Sequence, residues 1–217
     1  MKAPALAVLA LAALALPARA QQKPESTAVA AHAPLAPFAG RKLVVLPAGY
    51  LLAGDSMGWS AQIQDPQQYL KDFDAELEFA LKDRHLGKAW VMSSKLQGEY
   101  RRNEDYMADP YQLAGEFLRY PGPTKPIEFL PDPFAGQIRS ILSINDKAEY
   151  VLYPIEIRFI PTPGGKGGVA ALRAGVFDPR RNKTDWMGDV YSEPETTFSP
   201  ALLTSLAEHL ADLFATP

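Results

Sequence analysis

From residue 150 to residue 160 the chain alternates strictly: Val151, Tyr153, Ile155, Ile157 and Phe159 interleave with Leu152, Pro154, Glu156 and Arg158. A period of two over so long a run suits an extended strand with one face on a core. The run Gly164-Gly165-Lys166-Gly167-Gly168 then leads to a second strand pattern at 169–177, and residues 178–183 lead to a third at 184–191. Three consecutive strands with turn-rich links predict an antiparallel meander near the carboxyl end. Everything else in the fold has to be arranged around that sheet.

Ahead of the meander, Leu43-Val44-Val45-Leu46 is a short apolar run closed by Pro47 and Gly49, the pattern of a buried central strand. Ala89-Trp90-Val91-Met92 predicts another strand. Helix starts are marked by a repeated device: Asp65-Pro66, Asp109-Pro110, Asp132-Pro133 and Ser199-Pro200. In each pair the first side chain can accept orphan amide hydrogens, and proline in the first turn loses no hydrogen bond. Gln68 three residues after Asp65 suggests a capping box. Tyr69, Phe73, Leu77 and Leu81 then recur every four residues, which predicts a long helix over about 66–86. Leu203, Leu206, Leu210 and Leu213 predict a last helix over about 200–215. Two shorter helices are expected from Pro110 and Pro133. This order gives an α/β domain of the α+β two-layer kind, with a mixed sheet of about five strands packed by those helices.

The amino-terminal segment reads as a signal peptide over 1–20: Lys2, an apolar run over 5–16, Pro17, and the cleavage site Ala18-Arg19-Ala20. Residues 21–40 are rich in Ala, Pro and Gln without periodicity, so they are expected to be a disordered tether ahead of one globular domain, 41–217. The expected location is periplasmic or secreted, and soluble, with no later span long enough to cross a bilayer. The chain has no cysteine, so neither a lipid anchor at the mature amino terminus nor disulfides are expected, and apolar burial must hold the domain together. A formal net charge of −3 gives no electrostatic reason to expect a nucleic-acid partner.

The strand Leu43-Val44-Val45-Leu46-Pro47, the long helix, the Trp90 segment, and the pair Leu172-Arg173-Ala174-Gly175-Val176-Phe177-Asp178 and Trp186-Met187-Gly188-Asp189-Val190 together resemble a known group. They are similar to envelope proteins with the anticodon-binding-like α/β fold, which include the curli-secretion channel protein, the amino-terminal domain of TolB and outer-membrane activators of peptidoglycan synthases. The resemblance spans most of 41–215 and implies a protein-binding or assembly role with an envelope protein or outer-membrane component as partner. The chain departs from the group in having no cysteine for lipidation and no apolar hairpins for a pore.

Several motifs admit a chemical role beside a simpler one. Gly54-Asp55-Ser56-Met57 resembles the nucleophile block of GDSL-type serine esterases, but the only late histidine, His209, is preceded at three residues by Leu206 where an aspartate is needed. Ser56 is expected to be a turn residue, with the esterase as the alternative. His32, His85 and His209 lack metal-ligand spacing, and Glu104, Asp105 and Asp109 lack the glycine and terminal glutamate of a calcium loop, so no metal is expected. The run 164–168 has no Ser/Thr after its lysine and joins two strands, so it reads as a hairpin tip and not a phosphate cradle. Trp90, Trp186 and Tyr191 suit a core better than a sugar groove. No cofactor is expected. The leading expectation is a non-enzymatic binding module using Trp59, expected to be exposed, or Tyr100, Arg101, Arg102 and Tyr106, since Trp, Tyr and Arg are the usual anchors. A periplasmic small-ligand carrier is the third reading.

Overall fold

The three strands of the meander are β3 (Tyr150–Pro161), β4 (Gly168–Asp178) and β5 (Lys183–Tyr191), paired antiparallel in that order in the computed structural model. It describes residues 33–215 apart from Thr124, Asp146 and Lys147; the expected signal segment, residues 21–32 of the expected tether and His32 lie outside them. β1 (Leu43–Val45) runs parallel to the start of β3, and β2 (Tyr50–Leu51) runs parallel to it further along, completing a mixed five-stranded sheet. The fifth strand is therefore not the predicted one. Residues 89–92 contribute only a bridge from Val91 to Val44, while Trp90 turns into the core against Phe214. The chain reaches β2 past Gly49, where a Cβ would lie 2.1 Å from the Tyr153 hydroxyl, so only glycine passes there.

α2 (Pro66–Asp83) starts as expected, with the Asp65 carboxylate accepting the N–H groups of Gln67 and Gln68, both at 3.0 Å. Gln68 does not close a capping box, because its amide donates to Asp72 instead. The helix stops at Asp83, short of 86, as His85 takes a left-handed conformation and residues 86–89 form a tighter turn. α4 (Phe134–Ile144) follows Asp132, whose carboxylate accepts the Gly136 N–H. α5 (Ala201–Asp212) begins without a side-chain cap: the Ser199 carbonyl, not its hydroxyl, takes the Leu202 N–H. No helix follows Pro110, where Asp109 holds a turn by accepting the Tyr111 N–H. The second short helix is α3 (Ser93–Arg102), which sequence periodicity misses because Leu96 is its only fully buried apolar side chain.

α2 and α5 form the helical layer on one face of the sheet, where Phe73, Leu77, Leu81, Leu206 and Leu210 meet Leu152, Ile157, Leu172 and Val176. The expected α+β two-layer arrangement holds there. The opposite face is covered as well, since Phe134, Ile138 and Ile141 of α4 with Leu118 pack on Val151, Tyr153, Ile155 and Phe177. Both faces of β3 are consequently buried, where a single buried face was expected. β3 also carries a bulge between Pro154 and Glu156, a position that suits a residue with no N–H to give a sheet. It shifts the phase, so that odd positions point toward α4 before it and toward α2 and α5 after it.

The expected tether ends earlier than residue 40. A short α1 (Ala36–Ala39) follows Leu35, which is fully buried and donates its N–H to the Leu213 carbonyl at 2.9 Å, and Phe38 packs edge-on against Tyr150.

Candidate functional site

Beyond the bulge, the α4 side of the sheet changes character. Glu156 on β3, Arg173 on β4 and Asp189 on β5 stand opposite one another in register, and Arg158 lies one step further along β3. All four share a face with Tyr153 and Met187, but α4 does not reach them. The segment carrying Arg119 and Tyr120 covers them instead. Arg119 Nε donates to Glu156, which also accepts the Tyr120 N–H at 3.1 Å. Arg158 Nη2 donates to Asp189 at 2.7 Å, and Arg173 Nε donates to the same carboxylate at 3.2 Å. The Tyr120 ring lies 4.8 Å from the Arg158 guanidinium and 5.7 Å from that of Arg173, within cation–π reach of both. Glu156 is fully buried, while Arg173 and Arg158 are 2% and 6% exposed. Burial alone would raise the Asp189 pKa, but the hydrogen bonds and charges of Arg158 and Arg173 outweigh it and hold that carboxyl below its ordinary value.

Of this array Tyr120, Arg158 and Asp189 line a cleft of about 450 Å³, together with Leu52, Asp55 and Tyr191 among others. Tyr120 and Tyr191 stand half-exposed at its mouth. A second cleft of about 380 Å³ opens beside Tyr50, Tyr111, Glu116 and Tyr153, across Arg119 from the first. There the Arg119 guanidinium lies 4.5 Å from the Tyr50 ring, and the Tyr50 hydroxyl donates to the Leu113 carbonyl. Burial, followed by Glu116, pushes the Tyr50 hydroxyl up to about 12, so it stays a proton donor at any ordinary pH. A third cleft, about 530 Å³, lies between α2 and α5 and combines Tyr69, Phe198 and Leu203 with Asp65, Asp72 and Glu76.

The residues singled out from sequence do not come together at one place. Trp59 is buried, 5% exposed, and packs edge-on against Phe159 in the α2/α5 core, which corrects the expectation of an exposed anchor. Ser56 is exposed in a turn held by its neighbour: Asp55 accepts the N–H groups of Met57, Trp59 and Ser60 and the Ser60 hydroxyl. Those bonds leave that carboxylate no part in orienting a histidine, and His209 is engaged with the Tyr191 carbonyl and Glu193. Arg101 and Arg102 are exposed in the last turn of α3, Tyr106 is 77% exposed in the loop that follows, and Tyr100 is half-buried against the α4 core. The expected hairpin tip is present, with Gly164, Gly165 and Gly167 at positive φ. Among the described residues no group of three or more His, Asp or Glu side chains could hold a metal ion.

Sequence reasoning missed the arginine cluster. Glu156 and Arg158 occupy the polar positions of an alternating strand and read as solvent-facing, because neither the bulge that sets them on the face away from α2 and α5 nor the Arg119–Tyr120 segment that covers them leaves a trace in the period. Arg173 carried a usable signal: a lone guanidinium inside the apolar run Val169–Phe177 has to find a buried partner.

These features define the chain as a mixed-sheet α+β domain with an ion-lined cleft. No family model matches it, and no curated protein does. Among solved structures it is similar to the hypothetical protein CT253 from Chlamydia trachomatis, at 16% identity and a TM-score of 0.41 over 80% of this chain and 91% of that one. It is similar to the PelC dodecamer from Paraburkholderia phytofirmans, at 12% identity and a TM-score of 0.38 over 82% and 91% of the two chains. Lipoprotein GNA1162 from Neisseria meningitidis is similar at 16% identity, with a TM-score of 0.36 over 81% of this chain and 96% of that one.

Proposed function

We propose that this chain is an exported, non-enzymatic binding or assembly module of the bacterial cell envelope that acts through protein–protein contacts. The observation that carries the reading is the surface at the end of α3, where Arg101, Arg102 and Tyr106 are exposed within six residues of one another while both faces of the sheet are packed. Tyrosine buries a large, rigid area and arginine brings a planar fork of hydrogen-bond donors, and both are enriched among binding hot spots. The turn role of Asp55 and the engagement of His209 also support a binding role over the Ser56 esterase. The partner is an envelope protein or outer-membrane component, and the chain acts in the periplasm or outside the cell.

The test is capture of partners from envelope extract by the tagged full chain, followed by rebinding with the purified partner. The triple variant Arg101→Ala, Arg102→Ala, Tyr106→Ala is expected to weaken rebinding at least about a hundredfold, the sum of two or three hot-spot losses. Equal rebinding by the variant would remove this surface from the account.

A further inference from the structure

We propose that the cleft between α2 and α5 is an amine-binding site, taking a small organic cation whose ammonium meets Asp72 and Glu76 and whose apolar body lies against Tyr69, Phe198 and Leu203. Position along α2 is the first ground. Asp65, Tyr69, Asp72 and Glu76 recur at intervals of four, three and four residues, which places them on one stripe of the helix, and all four line the cleft. The stripe carries three carboxylates with an aromatic ring set among them.

Charge is the second ground. Every charged side chain that lines the cleft is acidic. Asp65 uses one oxygen to accept the Gln67 and Gln68 N–H groups, and Asp72 accepts the Gln68 side-chain amide; these neutral donors leave both charges uncompensated. The positions three and four residues from Asp72 and Glu76 along α2 hold, besides each other, Gln68, Tyr69, Phe73, Ala75, Phe79 and Ala80, none of them basic. Lys71 lies about 100° around the helix from Asp72 and does not line the cleft. Lys82 is paired with Glu78, and Arg84 with Asp212. Across the cleft, α5 has no lysine or arginine, and its His209 is engaged with the Tyr191 carbonyl and Glu193. Two carboxylates one helical turn apart repel each other, and a cation shared between them relieves both.

The aromatic wall is the third. Tyr69 is 9% exposed, and its hydroxyl has no hydrogen-bond partner among the described residues, although a buried phenol ordinarily has one. Burial pushes the pKa of that hydroxyl up and Asp72 adds to the rise, so the phenol stays protonated within the field of that carboxylate. An ammonium group has three N–H donors, a number matched by Asp72, Glu76 and the phenol oxygen. The rings of Tyr69 and Phe198, with centroids 6.0 Å apart, and the side chain of Leu203 give the body of the ligand an apolar surface and the cation an aromatic neighbour. The cleft's volume of about 530 Å³ is that of a small-molecule site, which holds the ammonium and the body together. The site is separate from the surface of Arg101, Arg102 and Tyr106, so its failure would leave the protein-binding reading standing.

The experiment uses the full chain and calorimetric titration at constant ionic strength with four probes: 2-phenylethylamine, 2-phenylethanol, 3-phenylpropanoate and Nα-acetyl-lysine methylamide. The amine is expected to bind, and the alcohol and the acid each at least about tenfold more weakly. The double variant Asp72→Asn, Glu76→Gln is expected to weaken the amine by a similar factor and to leave the alcohol unchanged. Tyr69→Phe, which keeps the ring, is expected to weaken the amine by a factor of about three to ten, the loss of one hydrogen bond. The amine–alcohol comparison on the unaltered chain stands even if a variant does not fold. The lysine derivative is expected to bind more weakly than the amine; equal or tighter binding would assign the cation to a partner's lysine and overturn the free ligand. Equal binding of amine and alcohol, tighter binding of the acid, or no binding of any probe at about 10 mM would overturn the proposal as well.

Discussion

One strand holds two unlike environments on a single face. Before the bulge, Val151, Tyr153 and Ile155 of β3 meet Phe134, Ile138 and Ile141 of α4 in a fully apolar contact; beyond it, Glu156 and Arg158 meet Arg119, Tyr120, Arg173 and Asp189. The apolar half is held by area removed from water, roughly 25 cal/mol for each Å². The ionic half gains little from its charges in net terms, because their desolvation offsets much of their attraction. The difference teaches that stability and specificity are divided along the strand. α4 and the sheet hold the fold, while the segment of Arg119 and Tyr120 covers a buried cluster of charges.

Replacing Phe134 with alanine should have the largest effect, because that ring is fully buried and contacts Phe117, Tyr153 and Phe177. A loss of about 3–5 kcal/mol is expected from the urea unfolding midpoint. A loss below about 1 kcal/mol would mean that the apolar half is not the better-packed one. In the ionic half, Glu156→Gln should cost about 3 kcal/mol by leaving Arg119 without its anion, whereas the double variant Arg119→Met, Glu156→Leu should recover most of that loss. If the double variant is as unstable as the single one, the ion pair contributes more than apolar packing would.

Asp74 carries the contrast into the α2/α5 layer, as the one buried carboxylate there, accepting the Ala48 N–H at 2.8 Å. Burial pushes its pKa up from 3.8 to about 7, the Ala48 hydrogen bond pulls it partly back, and Glu78 adds to the rise. The folded state therefore holds this proton more tightly than the unfolded chain does. Its contribution is complete below pH 3.8 and is lost as pH rises toward 7. Between those limits the unaltered chain should lose on the order of 4 kcal/mol relative to Asp74→Asn, measured as the difference of unfolding free energies at the two pH values. Parallel pH profiles for the two proteins would show that this layer tolerates the charge as readily as the cleft does. The smallest effect belongs to the exposed rim: Asp65→Ala removes the two cap bonds of α2 and should cost about 1 kcal/mol in the same assay.

The elements legible in the sequence are those whose period outlasts their local exceptions. Eleven residues of alternation made β3 readable, three- and four-residue apolar spacing made α2 and α5 readable, and the turn-rich links on either side marked β4 and β5. β2 has two residues and no period to read, and α3 buries one apolar side chain in full. The Asp-Pro device at Asp109 misled because an aspartate accepting the N–H two residues on looks the same in a turn and in a helix start; only the apolar stripe that follows tells them apart. Of the candidate anchors, Tyr106 is exposed. Trp59 was not placed correctly, because its burial depends on Phe159 and Phe198, both distant in sequence. The arginine cluster depends on a bulge and on pairing across three strands, and neither is a local property of the chain.

The link between Leu35 and Leu213 has a mechanical meaning. A pull on the chain ahead of Leu35 enters the domain beside the end of α5 and bears first on one main-chain hydrogen bond and two seated side chains, Leu35 and Phe38. That point lies in the layer with the deepest apolar packing, on the face of the sheet opposite the arginine cluster. Load thus enters on the α2/α5 face, with the sheet between it and Arg158, Arg173 and Tyr120.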